Sequence, residues 1–334
     1  MQAPMKKKKI ALVAGGYSGE YVISVQSARM IRENLDKQLF AVYPVFIQEK
    51  KWVYIDEDEQ EYPVDKNDFT ISPKGVKIEF DCALITIHGT PGEDGKLQGY
   101  FDLIGIPYTT AGVLASALTF NKYYCNLVVS SLGFPVARSV LLAERNHADR
   151  GAILAKVDLP VFVKPNKGGS SLGTTFVTDG ETLPSAIASA FDHDDEVLVE
   201  EYLEGVELTC GVFRSEGRIR VLPVTEIISK TEARFFDYKA KYTPGAADEI
   251  TPARIPDSLT SQVQREAARI YEALNMSGLT RVDFIYSSDR LFFLEINVTP
   301  GMSETSIVPQ QAEVEGISST ELFTLLIREA LSGS

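Results

Sequence analysis

Histidine and cysteine are scarce in this chain, with three of each among 334 residues and a single tryptophan. The cysteines, Cys82, Cys125 and Cys210, are odd in number, far apart and form no CxxC pair. That pattern excludes a disulfide framework and predicts reduced thiols in a cytoplasmic protein. No apolar run approaches the roughly 18 residues that a bilayer-spanning helix needs. The start, MQAPMKKKKIALVAGG, sets lysines ahead of apolar residues, but the apolar part, Ile10 to Ala14, is too short for a secretion signal. Positive charge is not in excess either. A formal net charge of -13 weighs against a general binder of nucleic acid or anionic membrane, whose affinity rests on cations that neutralise phosphates. It leaves room for a local cationic pocket. Internal repeats and low-complexity tracts are missing as well.

What is present is an ordinary globular composition, 44% apolar and 24% charged, long enough for two or three packed domains. KKKIALVAGGYSGEYVISVQSARMIREN reads as strand, glycine turn and amphipathic helix, and FAVYPVFIQ as a second strand, a βαβ opening. CALITIHGTPGEDG is another buried strand running into a glycine-rich loop. A helix is expected from Ala115 to Leu132, and PVFVKPNKGGSSLGTTFV reads as a hairpin with a long Gly/Ser tip. RIRVLPVTEII reads as one strand. Residues 229–254 show no clear period, and a loop of that length in a compact domain is usually a lid or disordered. A helix over 257–274, the paired strands LTRVDFIY and RLFFLEIN, and a helix over 319–332 complete the chain. The expected division is 1–118, an N-terminal Rossmann-like parallel-sheet domain, then 119–205 and 206–334, two α+β subdomains. The fold class is α/β.

Five features are candidates for chemistry. If the last two strands pair, Asp283 converges with Glu295 and Asn297, which period-2 geometry sets on one face. Three hard oxygen-bearing side chains suit Mg²⁺, and the competing reading is an Arg281–Glu295 salt bridge on a solvated sheet face. The loop KPNKGGSSLG offers Lys164, Ser170 and Ser171 beside bare backbone N–H groups, an anion cradle or else a flexible hairpin tip. GGYSGE, after the first strand, is a weak dinucleotide turn; Glu20 there could hold a substrate ammonium or simply favour the helix start. His88 follows a buried strand, where ligands of parallel sheets bind, although a lone histidine is more often structural. Glu200 and Glu207, on their own, read as solvated strand-edge glutamates.

Six stretches, GGYSGE with its following serine, HGTPGEDGKLQG, PVFVKPNKGGSSLG, FFDYKAKYTPG, GLTRVDF and LEINVTPGMSETSIVP, stand in the order seen in D-alanine–D-alanine ligases. The resemblance spans about residues 10–330. It implies an ATP-grasp fold and ATP-dependent joining of two D-alanines through a D-alanyl phosphate, for peptidoglycan synthesis. ATP would lie between the two α+β halves. Lys122 and Lys164 would meet the phosphates, with Ser170 and Ser171 in the loop. Glu200 and the Tyr202–Leu203 backbone would hold adenine, and Glu207 the ribose. Asp283, Glu295 and Asn297 would bind two Mg²⁺ (or Mn²⁺) ions. Glu20 would take the first ammonium with Ser24 and His88 nearby, Arg281 and the Gly301 N–H the oxyanion, and Ser306 the second carboxylate. Lys241 and Tyr242 would sit on the 229–254 lid, latched by Ser170 and Tyr242 to Glu20. A cytoplasmic homodimer is implied, with no nucleic-acid or membrane partner.

Three positions depart from the family pattern. Its usual Asp-Lys is Asn121-Lys122 here, its second glutamate in the first motif is Val22, and its acid in the Gly/Ser loop is Gly168. The rival readings are a ligase whose second substrate is D-lactate or D-serine, a nucleotide-binding regulatory module without chemistry, and a nicotinamide oxidoreductase resting on GGYSG alone.

Overall fold

The computed structural model describes residues 6–144, 149–169, 172–229 and 247–333. Its first sheet grows around the opening strand. β1 (Lys8–Gly15) runs parallel to β2 (Phe40–Ile47) on one side and to β5 (Cys82–Ile85) on the other. β3 (Trp52–Ile55) and β4 (Glu61–Pro63) extend it with antiparallel pairing, in the order β4-β3-β2-β1-β5. Parallel neighbours need a crossover, and α1 (Tyr21–Asn34) supplies it between β1 and β2. Alternation splits β1 between two cores. Ile10, Leu12 and Ala14 enter one, while Ala11 and Val13 enter another that contains Phe69, Phe80 and Phe101. Cover on both faces is why this strand reads as an unbroken apolar run. α2 (Lys96–Ile104) follows the loop after β5.

The second sheet has the order β6-β9-β7-β8, from β6 (Ser139–Leu142), β7 (Val161–Pro165), β8 (Thr175–Val177) and β9 (Val197–Glu201). β7 and β8 form the expected hairpin around the Gly/Ser loop. α5 (Arg150–Leu154) and α6 (Leu183–Ala190) bury Ile153, Leu183 and Ile187 against the sheet.

The third sheet is built on β10 (Val206–Ser215). One edge pairs with β14 (Thr280–Ser287), itself paired with β15 (Arg290–Asn297) through a turn at Ser288 and Asp289, both at positive φ. The other edge takes two strands, β11 (Arg218–Val221) and β12 (Thr225–Ser229), where the sequence suggested one. The ladder is interrupted between them at Leu222: it donates to the Gly211 carbonyl, but the Gly211 N–H goes to Gln311 and the Leu222 carbonyl accepts from Gln264. β13 (Ala247–Ile250) pairs with β12, so the two feet of the 229–254 stretch form a ladder that no apolar period announced. The stretch between these feet, with Lys241 and Tyr242, lies outside the described residues, as do Ser170 and Ser171.

The helix expected over Ala115 to Leu132 is two helices, α3 (Val113–Phe120) and α4 (Lys122–Ser131). Between them Asn121 is extended (φ -96°, ψ 102°), and its side chain caps α4 by accepting from the Tyr124 N–H. Both helices pack on the third sheet, with Ala115, Cys125 and Val129 sharing a core with Val282, Phe284 and Phe293. α7 (Asp257–Ala273) closes that core with Leu259, Val263, Ala267 and Ile270, one face at helical spacing. Each large aliphatic side chain so buried contributes about 1.5–3 kcal/mol. α8 (Ile307–Val314), which sequence patterning missed, and α9 (Ser319–Ser332) fasten the first sheet to the third, since Val308, Phe323 and Ile327 share one core with Ile10, Leu12 and Phe213.

The contact between α7's trailing turn and the first domain tolerates no side chain at Gly278. Its φ is +65°, and a Cβ would stand 2.1 Å from the Thr109 carbonyl oxygen. Gly278→Ala is expected to cost roughly 3 kcal/mol, since strain and overlap add. Urea denaturation measures it, and a change below about 1 kcal/mol would show that this junction yields.

Candidate active site

Residues of the second and third sheets, with the loops that follow β1 and β5 of the first, line a cavity of about 630 Å³. Its floor is the β14–β15 hairpin. Arg281, Asp283 and Ile285 alternate on β14 and face the cavity, while Val282 and Phe284 enter the core. On β15, Leu294 and Glu295 both line it although they are neighbours in sequence. A β-bulge explains this: Asp283 pairs with Glu295, but Phe284 pairs with Phe293. The extra residue turns Glu295 toward Asp283 and leaves Asn297 opposite Arg281.

Arg281 does not bridge to Glu295 across the hairpin as the simple salt-bridge reading suggested. It binds Asp283 on its own strand as a fork, with Nε to Oδ1 at 2.8 Å and Nη2 to Oδ2 at 2.7 Å. Burial opposes its charge, but Asp283, then Glu295 and Glu207, outweigh that and hold the guanidinium above its ordinary pKa. The Thr209 hydroxyl and the Asn297 amide also donate to Asp283. Asn297 thus spends its N–H on Asp283, which leaves it a carbonyl oxygen to offer. Two carboxylates and a carboxamide in one cross-strand patch are the hard oxygen donors that Mg²⁺ takes, so this donor set fits such an ion. Among the described residues no cluster of three or more His, Cys, Asp and Glu gathers anywhere, and this patch reaches three donors only through the carboxamide of Asn297.

At one end stand two lysines. Lys122, first residue of α4, donates to the Gly168 carbonyl at 2.7 Å and lies 3.7 Å from Glu295 Oε2, so it joins the glycine loop to the floor. Lys164 on β7 donates to Glu200 at 2.5 Å, and Asn126 also reaches that buried carboxylate. Glu200 is therefore not the solvated edge residue its sequence context suggested: it is 2% exposed. Tyr202, Leu203 and Glu207 line the same end. The Tyr202 ring stands edge-on to Phe162 and Phe176, and Phe162 also lines the cavity, an aromatic wall suited to a flat ring. Sequence reasoning passed over Phe162, because its strand reads as ordinary core.

Glu20 marks the other end. It is the N-cap residue of α1, lines the cavity and is 8% exposed. The glycine loop comes directly over it, for a Cβ on Gly169 would stand 3.1 Å from Glu20 Oε2. Ser18 donates to the His88 carbonyl at 2.9 Å. Burial lowers the His88 pKa, Glu20 opposes this and Arg281 adds to it, so the imidazole is neutral at pH 7; its Nε2 has no partner among the described residues. Like His88, and unlike Glu20, Ser24 does not line the cavity. It is fully buried, and its hydroxyl accepts from Gly15 N–H and meets Thr86, a tie between β1 and α1 that does not line the cavity. Ser306 heads α8, with its hydroxyl 2.8 Å from that of Ser303 and hard against Gly301.

Glu93 carries the strongest signal that sequence reasoning missed. Its carboxylate accepts from the Gly89 N–H at 2.7 Å. Burial, reinforced by Glu20, pushes its pKa up to about 8 against the opposing pull of that N–H and of Lys122. It stands in the HGTPGEDG loop beside His88, but a glutamate in a polar loop looks solvated until the loop folds inward.

The comparisons agree along the chain. Residues 9–111 match the family model described as D-ala D-ala ligase N-terminus, and residues 128–328 match that described as D-ala D-ala ligase C-terminus. A D-alanine–D-alanine ligase of Porphyromonas gingivalis is 46% identical over 330 residues, 98% of this chain and 99% of that protein. One of Parabacteroides distasonis is 46% identical over 326 residues, covering 97% and 98%. Among solved structures, a D-Ala:D-Ser ligase from Enterococcus faecalis superposes with TM-score 0.87 at 34% identity, covering 97% of this chain and all of that one. A D-alanyl-alanine synthetase A from Vibrio cholerae gives 0.88 at 28%, covering 98% and 99%. Matches of this length leave no part of the three-sheet ATP-grasp architecture unaccounted for, and this chain belongs to the D-alanine–D-alanine ligase family.

Proposed function

We propose that this chain is an ATP-dependent ligase that joins two D-alanine molecules to D-alanyl-D-alanine for peptidoglycan synthesis. The observation that carries the reading is the cavity itself, where the carboxylate of Glu20 faces, across one space, the cations Lys122 and Arg281. An amino acid whose carboxylate is to be activated needs an anion at its ammonium end and cations where its oxygens gather charge.

The nucleotide lies against the Tyr202 wall, with Glu200, Tyr202 and Leu203 at adenine and Glu207 at ribose. Lys122 and Lys164 reach the phosphates, with Ser170, Ser171 and Lys241 as further contacts. Asp283, Glu295 and Asn297 would hold Mg²⁺, which when bound would neutralise charge on the triphosphate oxygens. Glu20 orients the first D-alanine through its ammonium, beside the neutral His88. The substrate carboxylate attacks the γ-phosphorus, ADP leaves, and an acyl phosphate remains. The amine of a second D-alanine, its carboxylate at Ser306, attacks that carbonyl. Arg281 and the Gly301 N–H take the oxyanion, and collapse expels phosphate. Residues 229–254 close over the site and keep water from the acyl phosphate. Exposed leucines on neighbouring helices, Leu103 on α2, Leu114 on α3 and Leu127 on α4, with α3 packed against both others, support a homodimer. ATP as co-substrate supports a cytoplasmic location, and among the described residues no helix is long and apolar enough to cross a membrane.

The E. faecalis match keeps D-serine open as second substrate. Tyr242 favours D-alanine, because a neutral phenol adds no positive charge beside the second site. A histidine there would be protonated below its reference pKa of about 6.5 and would favour an anion without an ammonium. With D-alanine, D-serine and D-lactate at equal concentration and neutral pH, products counted by mass should be mostly D-alanyl-D-alanine. ADP release that ignores D-alanine, or a majority of ester or D-alanyl-D-serine, would overturn the assignment. Tyr242→Phe should raise the ester-to-dipeptide ratio.

A further inference from the structure

Beneath the glycine loop lies a polar cluster that no step above uses. Asn166, at the end of β7, is fully buried. Its carbonyl accepts from the Lys122 N–H at 3.1 Å and its Oδ1 from the Tyr123 N–H at 2.8 Å, so it grips the first turn of α4 twice. Its Nδ2 donates to Asn121 Oδ1 and to Glu196 Oε2, both at 2.9 Å. Asn121 Oδ1 also accepts from the Tyr124 N–H at 3.0 Å, which fixes the amide's orientation and turns its Nδ2 to Glu196, 3.3 Å away. Glu196 in turn pairs with Lys167 at 3.3 Å. Lys167 is the residue before Gly168, whose carbonyl receives Lys122.

We propose that Asn121, Asn166 and Glu196 are positioning residues for the nucleotide triphosphate: a clamp that sets Lys122 against the 167–169 loop before ATP arrives. This rests on the reading that the cavity takes ATP. Side chains prealigned by a satisfied buried network lose less freedom when the ligand binds. Asn121 is the member whose chemistry is most constrained. In this chain it accepts from two N–H groups with one atom and donates to a carboxylate with the other, which the aspartate of the family pattern could not do. An aspartate would keep the cap, since it caps helices as well as asparagine does. It would also place a second carboxylate oxygen against Glu196.

The test is Asn121→Asp, Glu196→Gln and the double variant in the full chain. Expected for Asn121→Asp is a rise of about tenfold or more in KM for ATP and in the calorimetric Kd for ATP. The KM for D-alanine and the unfolding temperature should stay near wild type. The double variant should recover most of the loss, because the amide introduced by Glu196→Gln can donate to the carboxylate introduced by Asn121→Asp. ATP affinity within twofold of wild type in Asn121→Asp would overturn the clamp. So would an equal defect for both substrates with a matching loss of stability, or no recovery in the double variant. Calorimetry with ATP alone requires no turnover. A wild-type chain that binds ATP but does not use D-alanine sinks the proposed function while the clamp is still judged, and one that binds no ATP overturns both.

Discussion

Replacing Arg281 with lysine should lower kcat for dipeptide formation by about 10²–10³-fold while KM for ATP changes little, the scale seen when one preorganised oxyanion donor is lost. Lysine keeps a cation beside Asp283, so that buried carboxylate is not left without a counter-charge, which would itself cost several kcal/mol. What lysine cannot reproduce is the fork. Arg281 spends Nε and Nη2 on Asp283 and still has donors to direct into the cavity. An ammonium aimed at Asp283 has no rigid second arm. Single-turnover measurement should show the loss in the chemical step, and a matched unfolding temperature should show that the fold survives. Turnover within threefold of wild type would mean that positive charge alone is enough and that the guanidinium geometry has no special part.

The second large effect is a dependence of stability on pH that traces to Glu93. In the folded chain its pKa is about 8, whereas an unfolded glutamate titrates near 4.3. Between those values the native state holds a proton that the unfolded state has released, so stability is greatest at the acid side of the window and falls as pH rises. The slope approaches about 1.4 kcal/mol per pH unit for one such group. Glutamine can still accept from the Gly89 N–H but has no proton to lose. Urea denaturation of the ligand-free protein at pH 5, 6.5 and 8 should therefore show the wild type losing on the order of 3 kcal/mol relative to Glu93→Gln across that range. Parallel pH profiles for the two proteins would refute a protonated Glu93.

Local chemistry already determined several elements. The apolar run of β1 and the alternation along β14 and β15 follow from which faces must leave water, and a period of two or 3.6 is enough to expose them. The β14–β15 hairpin was legible because a short turn joins two apolar strands, and the Gly/Ser hairpin because two β-rich halves flank its tip, but the register that pairs Asp283 with Glu295 was not. The ordered motifs carried the family, since six short stretches in one order are far more restrictive than any one of them.

Tertiary structure alone decided the rest. The split at Asn121 depends on Asn166 and Glu196, which come from another sheet. The bulge that turns Glu295 toward Asp283 leaves no mark in hydropathy, because Leu294 and Glu295 look like neighbours on opposite faces. β13 lacks an apolar pattern since it is an edge strand defined by its partner β12. Arg281 chose Asp283 over Glu295 because two residues apart on one strand share a face, and the fork reaches that carboxylate first. Glu200 read as a solvated charge until Lys164 and Asn126, distant in sequence, met it, and Glu93 gave no local signal at all. In every such case the deciding term was desolvation or a partner distant in sequence, and neither is encoded in a residue's immediate neighbours.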